Sequence, residues 1–98
     1  MLEETQSHTT SKEKSKVLYF SASWCQPCQM FGPIVERVKE DYPNIKVEKI
    51  DIDEEEGQLL GFQHGVMSIP TLVTENSRPI VGAVSEETLR KWFETIGG

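Results

Sequence analysis

Residues 17–28 of the chain, VLYFSASWCQPC, join a continuous apolar run to two cysteines that are separated by two residues. The run Val17–Phe20 has the length and composition of a strand buried on both faces of a sheet. Trp24 and then Cys25-Gln26-Pro27-Cys28 follow it, and this motif holds the only two cysteines of the chain. A single C-x-x-C pair at the start of a helix indicates reversible thiol–disulfide chemistry, because both sulfurs come within bonding reach across the first turn.

A helical repeat of apolar residues follows the second cysteine. Its members fall at i, i+3, i+4, i+7 and i+11, and they are Phe31, Ile34, Val35, Val38 and Tyr42. Pro33 lies inside the repeat and predicts a kink, because its nitrogen cannot donate to the carbonyl of Gln29. The helix is expected to end at residues 42–44, Tyr-Pro-Asn.

The remaining sequence predicts three strands and two helices. Residues 45–52, 71–74 and 79–82 have strand composition, and Pro79 makes the last of these compatible with a sheet edge. Asp53 and Glu56 have the spacing of a capping box for a short helix that ends near Gly65. Ser85 is expected to cap the last helix, whose predicted buried stripe is Leu89, Trp92, Phe93 and Ile96.

The element order is therefore β-α-β-α-β-β-α. Two parallel strands joined by a right-handed helical crossover and followed by a hairpin predict an α/β fold, a three-layer α/β/α sandwich around a central mixed four-stranded sheet. Residues 1–16 are predicted to form a flexible polar N-terminal arm, because their composition cannot bury enough apolar surface to offset ordering. Residues 17–98 are predicted to form one domain.

Composition restricts the classes of function. Ten basic and sixteen acidic residues give a net charge of −6, which argues against binding to nucleic acid or to an anionic membrane surface. The sequence contains no apolar stretch of about 18 residues and no apolar signal segment near Met1. With two cysteines three positions apart, a reducing cytoplasmic location is the expectation.

Four motifs together resemble the thioredoxin family over roughly residues 16–98. They are Trp24 with the C-x-x-C pair, Pro33, the loop of residues 65–71 (GVMSIPT), and the segment of residues 81–83 (VGA). The resemblance implies a thioredoxin-like fold with a cis bond before Pro70. It implies reduction of protein disulfides by the catalytic residues Cys25 and Cys28, with substrate contacts from Trp24, Ile69, Pro70 and Gly82.

The same resemblance implies the partners. These are disulfide-containing protein substrates and an NADPH-dependent thioredoxin reductase, with a monomeric chain that binds no cofactor or metal and carries only the redox-active Cys25–Cys28 disulfide. Cys25 is expected to attack as a thiolate, since a helix N-terminus lowers a thiol pKa by about one unit. Cys28 is then expected to resolve the mixed disulfide.

Several positions depart from the family pattern. Tyr19 stands where the family commonly has a buried aspartate, and Ser21 stands where it has a second aromatic residue. Lys49 matches the lysine that the family places near that aspartate. We expect Gln26, Pro27, Tyr19 and Lys49 to tune the redox properties, and we expect a slower or differently poised resolving step because tyrosine is a poor base at neutral pH.

Three other hypotheses remain open from the sequence. A glutathione-linked, glutaredoxin-like enzyme would use the same two thiols. An interaction module with the same fold would not need them. A C-x-x-C pair can also form half of a metal site, although the chain offers no second pair and His64 is a weak candidate ligand.

Overall fold

The computed structural model describes residues 15–97, and its elements follow the predicted order. They are β1 (Ser15–Ser21), α1 (Gln26–Glu40), β2 (Ile45–Asp51), α2 (Glu55–Gln63), β3 (Thr71–Val73), β4 (Ile80–Val81) and α3 (Glu86–Ile96). The predicted polar arm falls mostly on residues outside this range, as does Gly98. None of the helices within residues 15–97 has the length and apolar character needed to cross a bilayer.

The four strands form one mixed sheet in the order β2-β1-β3-β4. β1 and β2 are parallel, with Ser15 opposite Ile45 and Ser21 opposite Asp51. β3 is antiparallel to β1, and β4 is antiparallel to β3. The predicted crossover and hairpin are therefore confirmed, and the carboxyl end of the central strand β1 leads directly to the cysteines.

Helices α1 and α3 cover one face of the sheet. Their apolar stripes pack against alternate residues of the strands, because successive side chains of a strand point to opposite faces. The fully or almost fully buried members of this core cluster are Val17, Tyr19, Phe31, Val35, Val38, Ile45, Leu72, Ile80, Leu89 and Phe93. Of the predicted α3 stripe, Trp92 and Ile96 pack against the cluster while remaining partly exposed.

Helix α2 covers the opposite face, and two buried glycines bring it close to the strands. A Cβ at Gly57 would collide with the backbone carbonyl of Asp51 and crowd Ile50, so this position requires glycine. Gly61 faces the ring of Phe20, which is fully buried. The third layer of the sandwich thus packs on the sheet through a close approach of the α2 backbone to the strands.

Two local predictions were wrong. β1 begins at Ser15, two residues before Val17. The backbone N–H of Ser15 donates to the carbonyl of Asn44, and the Ser15 hydroxyl donates to the carbonyl of Ile96. Asp53 is also not the N-cap of α2. Its own N–H donates to the carboxylate of Asp51 at 2.9 Å, which closes a turn, and the helix begins after Glu54, whose side chain makes no capping hydrogen bond.

Two other local features concern the helices that cover the core. α1 continues unbroken through Pro33, and Asp41 forms its C-cap. The predicted cap of α3 is confirmed, since the Ser85 hydroxyl accepts the Thr88 N–H at 3.1 Å.

Candidate active site

Cys25 is the N-cap of α1. Its backbone is extended, with φ −84° and ψ 110°, and its Sγ accepts the N–H of Cys28 at 3.3 Å. Pro27 occupies the first turn, where a missing N–H costs little because such groups have no partner within the helix. The Cys25 sulfur therefore lies at the positive end of the helix dipole, which favours the thiolate over the thiol.

The two cysteines are joined as a disulfide with their Cα atoms 5.2 Å apart. Each is only 5% exposed, and both pack with Ala22 in a small cluster that Ile52 and Ile69 complete. We call these five residues the cysteine cluster. It lies at the carboxyl end of β1 and is separate from the core cluster.

The loop before β3 brings a second backbone strand beside Cys25. The Ile69–Pro70 peptide bond is cis, as the resemblance implied, and the Ile69 carbonyl oxygen lies 3.9 Å from the Cys25 sulfur. The Gly82 N–H donates to the Pro70 carbonyl at 2.8 Å, and Gly82 has φ +89°, a conformation that glycine adopts at low cost. Ile69, Pro70 and Gly82 are thus assembled into one rim.

Trp24 forms the opposite side of this rim. Its side chain is 64% exposed, and its indole Nε1 donates to Asp53 Oδ1 at 2.9 Å. Gln29 Nε2 donates to the Ser23 carbonyl at 2.6 Å and so fixes the turn that carries Trp24. Gln26, between the cysteines, is exposed.

Tyr19 and Lys49 lie outside the cysteine cluster, but the Tyr19 hydroxyl is 3.9 Å from where a Cβ would stand on Gly32, about one helical turn after Cys28. Tyr19 and Lys49 are opposite each other in the register of β1 and β2. Tyr19 belongs to the core cluster, where its ring packs edge-on against Phe31 with a centroid separation of 6.2 Å. Burial, and secondarily the charge of Glu36, raises the pKa of Tyr19 above its ordinary value of 10.0, so its hydroxyl is neutral at physiological pH. Lys49 is exposed.

The structure therefore brings the predicted residues Cys25, Cys28, Trp24, Ile69, Pro70 and Gly82 together, whereas Tyr19 belongs to the core cluster and Lys49 is exposed on β2. Sequence reasoning missed the role of Asp53 as the partner of Trp24, because the two residues are 29 positions apart. It also missed Met67, which is 96% exposed two positions before Ile69. The available signal was its place in the loop of residues 65–71, three positions before the predicted cis-proline. Within residues 15–97, no group of three or more His, Cys, Asp or Glu side chains is arranged to hold a metal ion.

Comparisons with known proteins agree with this geometry. The family model described as Thioredoxin matches residues 2–95. A thioredoxin of Pyropia yezoensis is 39% identical over 75 residues, covering 71% of this chain and 68% of the relative. A protein of Brevibacillus choshinensis named "Disulfide bond formation protein" is 32% identical over 88 residues, covering 86% of this chain and 75% of the relative.

Solved structures give the same result for the fold. A mutant thioredoxin from Halobacterium salinarum superimposes with a TM-score of 0.77 at 36% identity, covering 93% of this chain and 81% of the other. With its C-x-x-C disulfide at a helix N-terminus beside a cis-proline loop, the chain belongs to the thioredoxin family and is a thiol–disulfide oxidoreductase.

Proposed function

We propose that the chain reduces protein disulfides by a two-step exchange that starts at Cys25. The Cys25 thiolate attacks one substrate sulfur, forms a mixed disulfide and releases the other substrate sulfur as a thiolate. Cys28 then attacks the Cys25 sulfur, so that the Cys25–Cys28 disulfide forms and the second substrate thiol leaves. Two electrons pass from the chain to the substrate. The observation that carries the proposal is the position of the Cys25 sulfur as the N-cap that accepts the Cys28 N–H.

The rim residues are proposed to bind the substrate chain. The Ile69 carbonyl beside the Cys25 sulfur offers a backbone acceptor to an extended segment, in the manner of strand addition. Trp24, Pro70 and Gly82 would contact the residues on either side of the substrate cysteine. The position of Trp24 directly before Cys25 and the hydrogen bond from Gly82 to Pro70 support this assignment.

Tyr19 is proposed to slow the resolving step. Cys28 must lose its proton before it attacks, and the buried hydroxyl at position 19 has a raised pKa and cannot act as a base at neutral pH. Tyr19→Asp is expected to shorten the lifetime of the mixed disulfide, measured by acid quenching and mass spectrometry. Tyr19→Phe, which removes only the hydroxyl, is the matched control and should leave that lifetime unchanged. Equal lifetimes in the aspartate variant and the natural chain would contradict the assignment.

Gln26, Pro27 and Lys49 complete the proposed set of tuning residues. Gln26 and Pro27 lie between the two sulfurs in sequence, where they can change the stability of the reduced thiolate relative to the disulfide. This role is tested by measuring the reduction potential of the Gln26→Gly variant. Gln58→Gly, at an exposed position of α2, is the control.

The oxidised chain is proposed to be recharged by an NADPH-dependent thioredoxin reductase, with the chain acting as a monomer in the cytoplasm. There it would contribute to electron transport and cell redox homeostasis. Reduction of insulin in a coupled assay with NADPH and a thioredoxin reductase tests this pairing. Turnover that requires glutathione and proceeds without the reductase would instead support the glutaredoxin-like alternative.

One relative favours a second direction of the same chemistry. The Brevibacillus choshinensis protein is named for disulfide bond formation, so an oxidising role is the second candidate. Equilibration of the reduced and oxidised chain in glutathione buffers separates the two roles. A potential below about −250 mV supports a reductant, whereas a potential near about −120 mV supports an oxidant.

A further inference from the structure

We propose that the surface around Cys25 selects disulfides that lie in basic segments of partner proteins. This inference rests on the proposed reduction of protein disulfides, and it adds the charge class of the substrate. It follows from two features of the same surface, an exposed apolar rim and an acidic border.

Three exposed apolar side chains lie beside the rim of Ile69, Pro70 and Gly82, and we call them the apolar rim. They are Trp24, Met67 and Val81, which are 64%, 96% and 60% exposed. Met67 leads into the loop whose Ile69 carbonyl lies 3.9 Å from the Cys25 sulfur, and Val81 directly precedes Gly82, which is bonded to that loop. Each of the three therefore lies within two residues of Cys25, or of Ile69 or Gly82 in the rim beside the nearly buried dithiol. Large side chains so exposed beside a reactive group are typical of a surface that a partner covers.

The acidic border begins where the cysteine cluster meets the start of α2. Ile52 packs in that cluster and donates its N–H to the Ser21 carbonyl at 3.0 Å. Asp53 accepts the Trp24 indole N–H, and Glu54, Glu55 and Glu56 follow with exposed side chains. The ion pairs found among residues 15–97 involve none of these four carboxylates.

Basic residues are missing from the segments that build this surface. Residues 17–36 contain no lysine or arginine, and neither do residues 50–73, although the latter contain Asp51, Asp53, Glu54, Glu55 and Glu56. Lys49, the lysine nearest to Asp53 in the sequence, lies on β2 opposite Tyr19. A substrate that approaches Cys25 past Trp24 thus meets a border of one sign.

This charge pattern determines which disulfides approach fastest. At an ionic strength of about 0.1 M, charges interact over about 10 Å. Asp53 is hydrogen-bonded to Trp24, and Glu54 directly follows Asp53 in the sequence. These carboxylates therefore act on a segment that docks at the apolar rim. Complementary charge raises the rate of association, and like charge lowers it. Lysine or arginine beside the substrate cystine is therefore favoured, whereas glutathione disulfide, which carries excess carboxylates, is disfavoured.

The test uses two synthetic peptides that are dimerised through one cystine and differ only in having lysines or glutamates beside it. The full chain is reduced, freed of reductant and mixed with each peptide, and the second-order rate of oxidation is measured by acid quenching. At about 20 mM ionic strength we expect the lysine peptide to react on the order of ten-fold faster, and at about 500 mM we expect most of that ratio to be lost.

Two double variants that each lose two carboxylates are compared with the same two peptides. Any difference in intrinsic reactivity between the peptides is then the same for both variants. Glu54→Gln with Glu55→Gln should lower the lysine-to-glutamate ratio at low salt by at least about three-fold. Glu40→Gln with Glu75→Gln removes the same charge far from Cys25, at the end of α1 and in the turn after β3, and should leave the ratio unchanged. Equal ratios in the two double variants, or a faster glutamate peptide, would overturn the inference. Failure of both peptides to react would instead overturn the proposed function.

Discussion

The core cluster and the cysteine cluster are built on the same strand, yet they differ in what they bury. The core cluster holds ten large side chains, Tyr19 among them, between the sheet and two helices. The cysteine cluster holds Ala22, Cys25 and Cys28, with Ile52 and Ile69 at its edge and backbone groups turned toward the sulfur. Stability and reactivity are therefore located in different residues of one domain, and mutations should separate them.

The largest expected effect comes from changing the cysteine cluster alone. Cys28→Ser removes the resolving nucleophile, so the mixed disulfide with substrate should accumulate and turnover should fall to the uncatalysed background. Because serine is close to cysteine in size, the unfolding free energy of the reduced variant should stay within about 1 kcal/mol of that of the reduced natural chain. Insulin reduction and urea unfolding under reducing conditions measure the two quantities. Retained turnover would favour a reduction mechanism that does not need the second thiol.

The converse change targets the core cluster. Phe93 is fully buried and packs with Tyr42 and Trp92 at ring separations of 5.5 and 5.8 Å. Phe93→Ala should lower the unfolding free energy by about 3–5 kcal/mol, because it leaves a cavity as well as removing apolar contacts. The rate of attack by Cys25, measured while the variant is folded, should remain unchanged. Phe93→Leu should show a smaller loss of stability with the same rate, and a large loss of rate in that variant would contradict the separation.

The two regions also differ in how well the sequence predicts them. Local patterns predicted the elements, the Ser85 cap and the position of Cys25 at a helix start, since each depends on residues a few positions apart. The motif in residues 65–71 predicted the rim. Asp53 was assigned to a local cap, but its carboxylate bonds the indole of Trp24, 29 positions away. A contact of that kind depends on the packing of two loops, and no periodicity in the sequence encodes it.

That long-range bond gives a prediction of intermediate size. Asp53→Asn should weaken the hold on the Trp24 indole by about 1 kcal/mol, with little effect on overall stability because the pair is exposed. The rate with an uncharged disulfide substrate should fall about five-fold if this orientation assists docking. A double-mutant cycle with Trp24→Phe isolates the coupling between the two residues. Additive effects of the two substitutions would show that the bond does not assist docking.

The smallest expected effect concerns ion pairs that join the helices over the core cluster. Arg37 and Arg90 contact Glu86 at 2.8 and 2.9 Å, and Arg90 also contacts Asp41 at 2.8 Å. The hydrogen bonds from Arg37 and then Arg90 lower the pKa of Glu86 below its ordinary value of 4.5. A carboxyl group whose pKa is lowered by folding stabilises the fold above its unfolded-state pKa, and this contribution is lost as the pH falls through the folded-state value.

Glu86→Gln should therefore be slightly less stable than the natural chain at about pH 7, and the difference should shrink toward zero as the pH falls below the ordinary pKa of 4.5 and through the lowered folded-state pKa. Urea unfolding at several pH values measures it, and Glu87→Gln in the same helix turn is the control, since its ion-pair partner among residues 15–97 is Lys91 at 3.7 Å. The thiol chemistry should be the same in both variants because these pairs lie over the core cluster. A pH-independent stability difference would mean that Glu86 acts through packing rather than through charge.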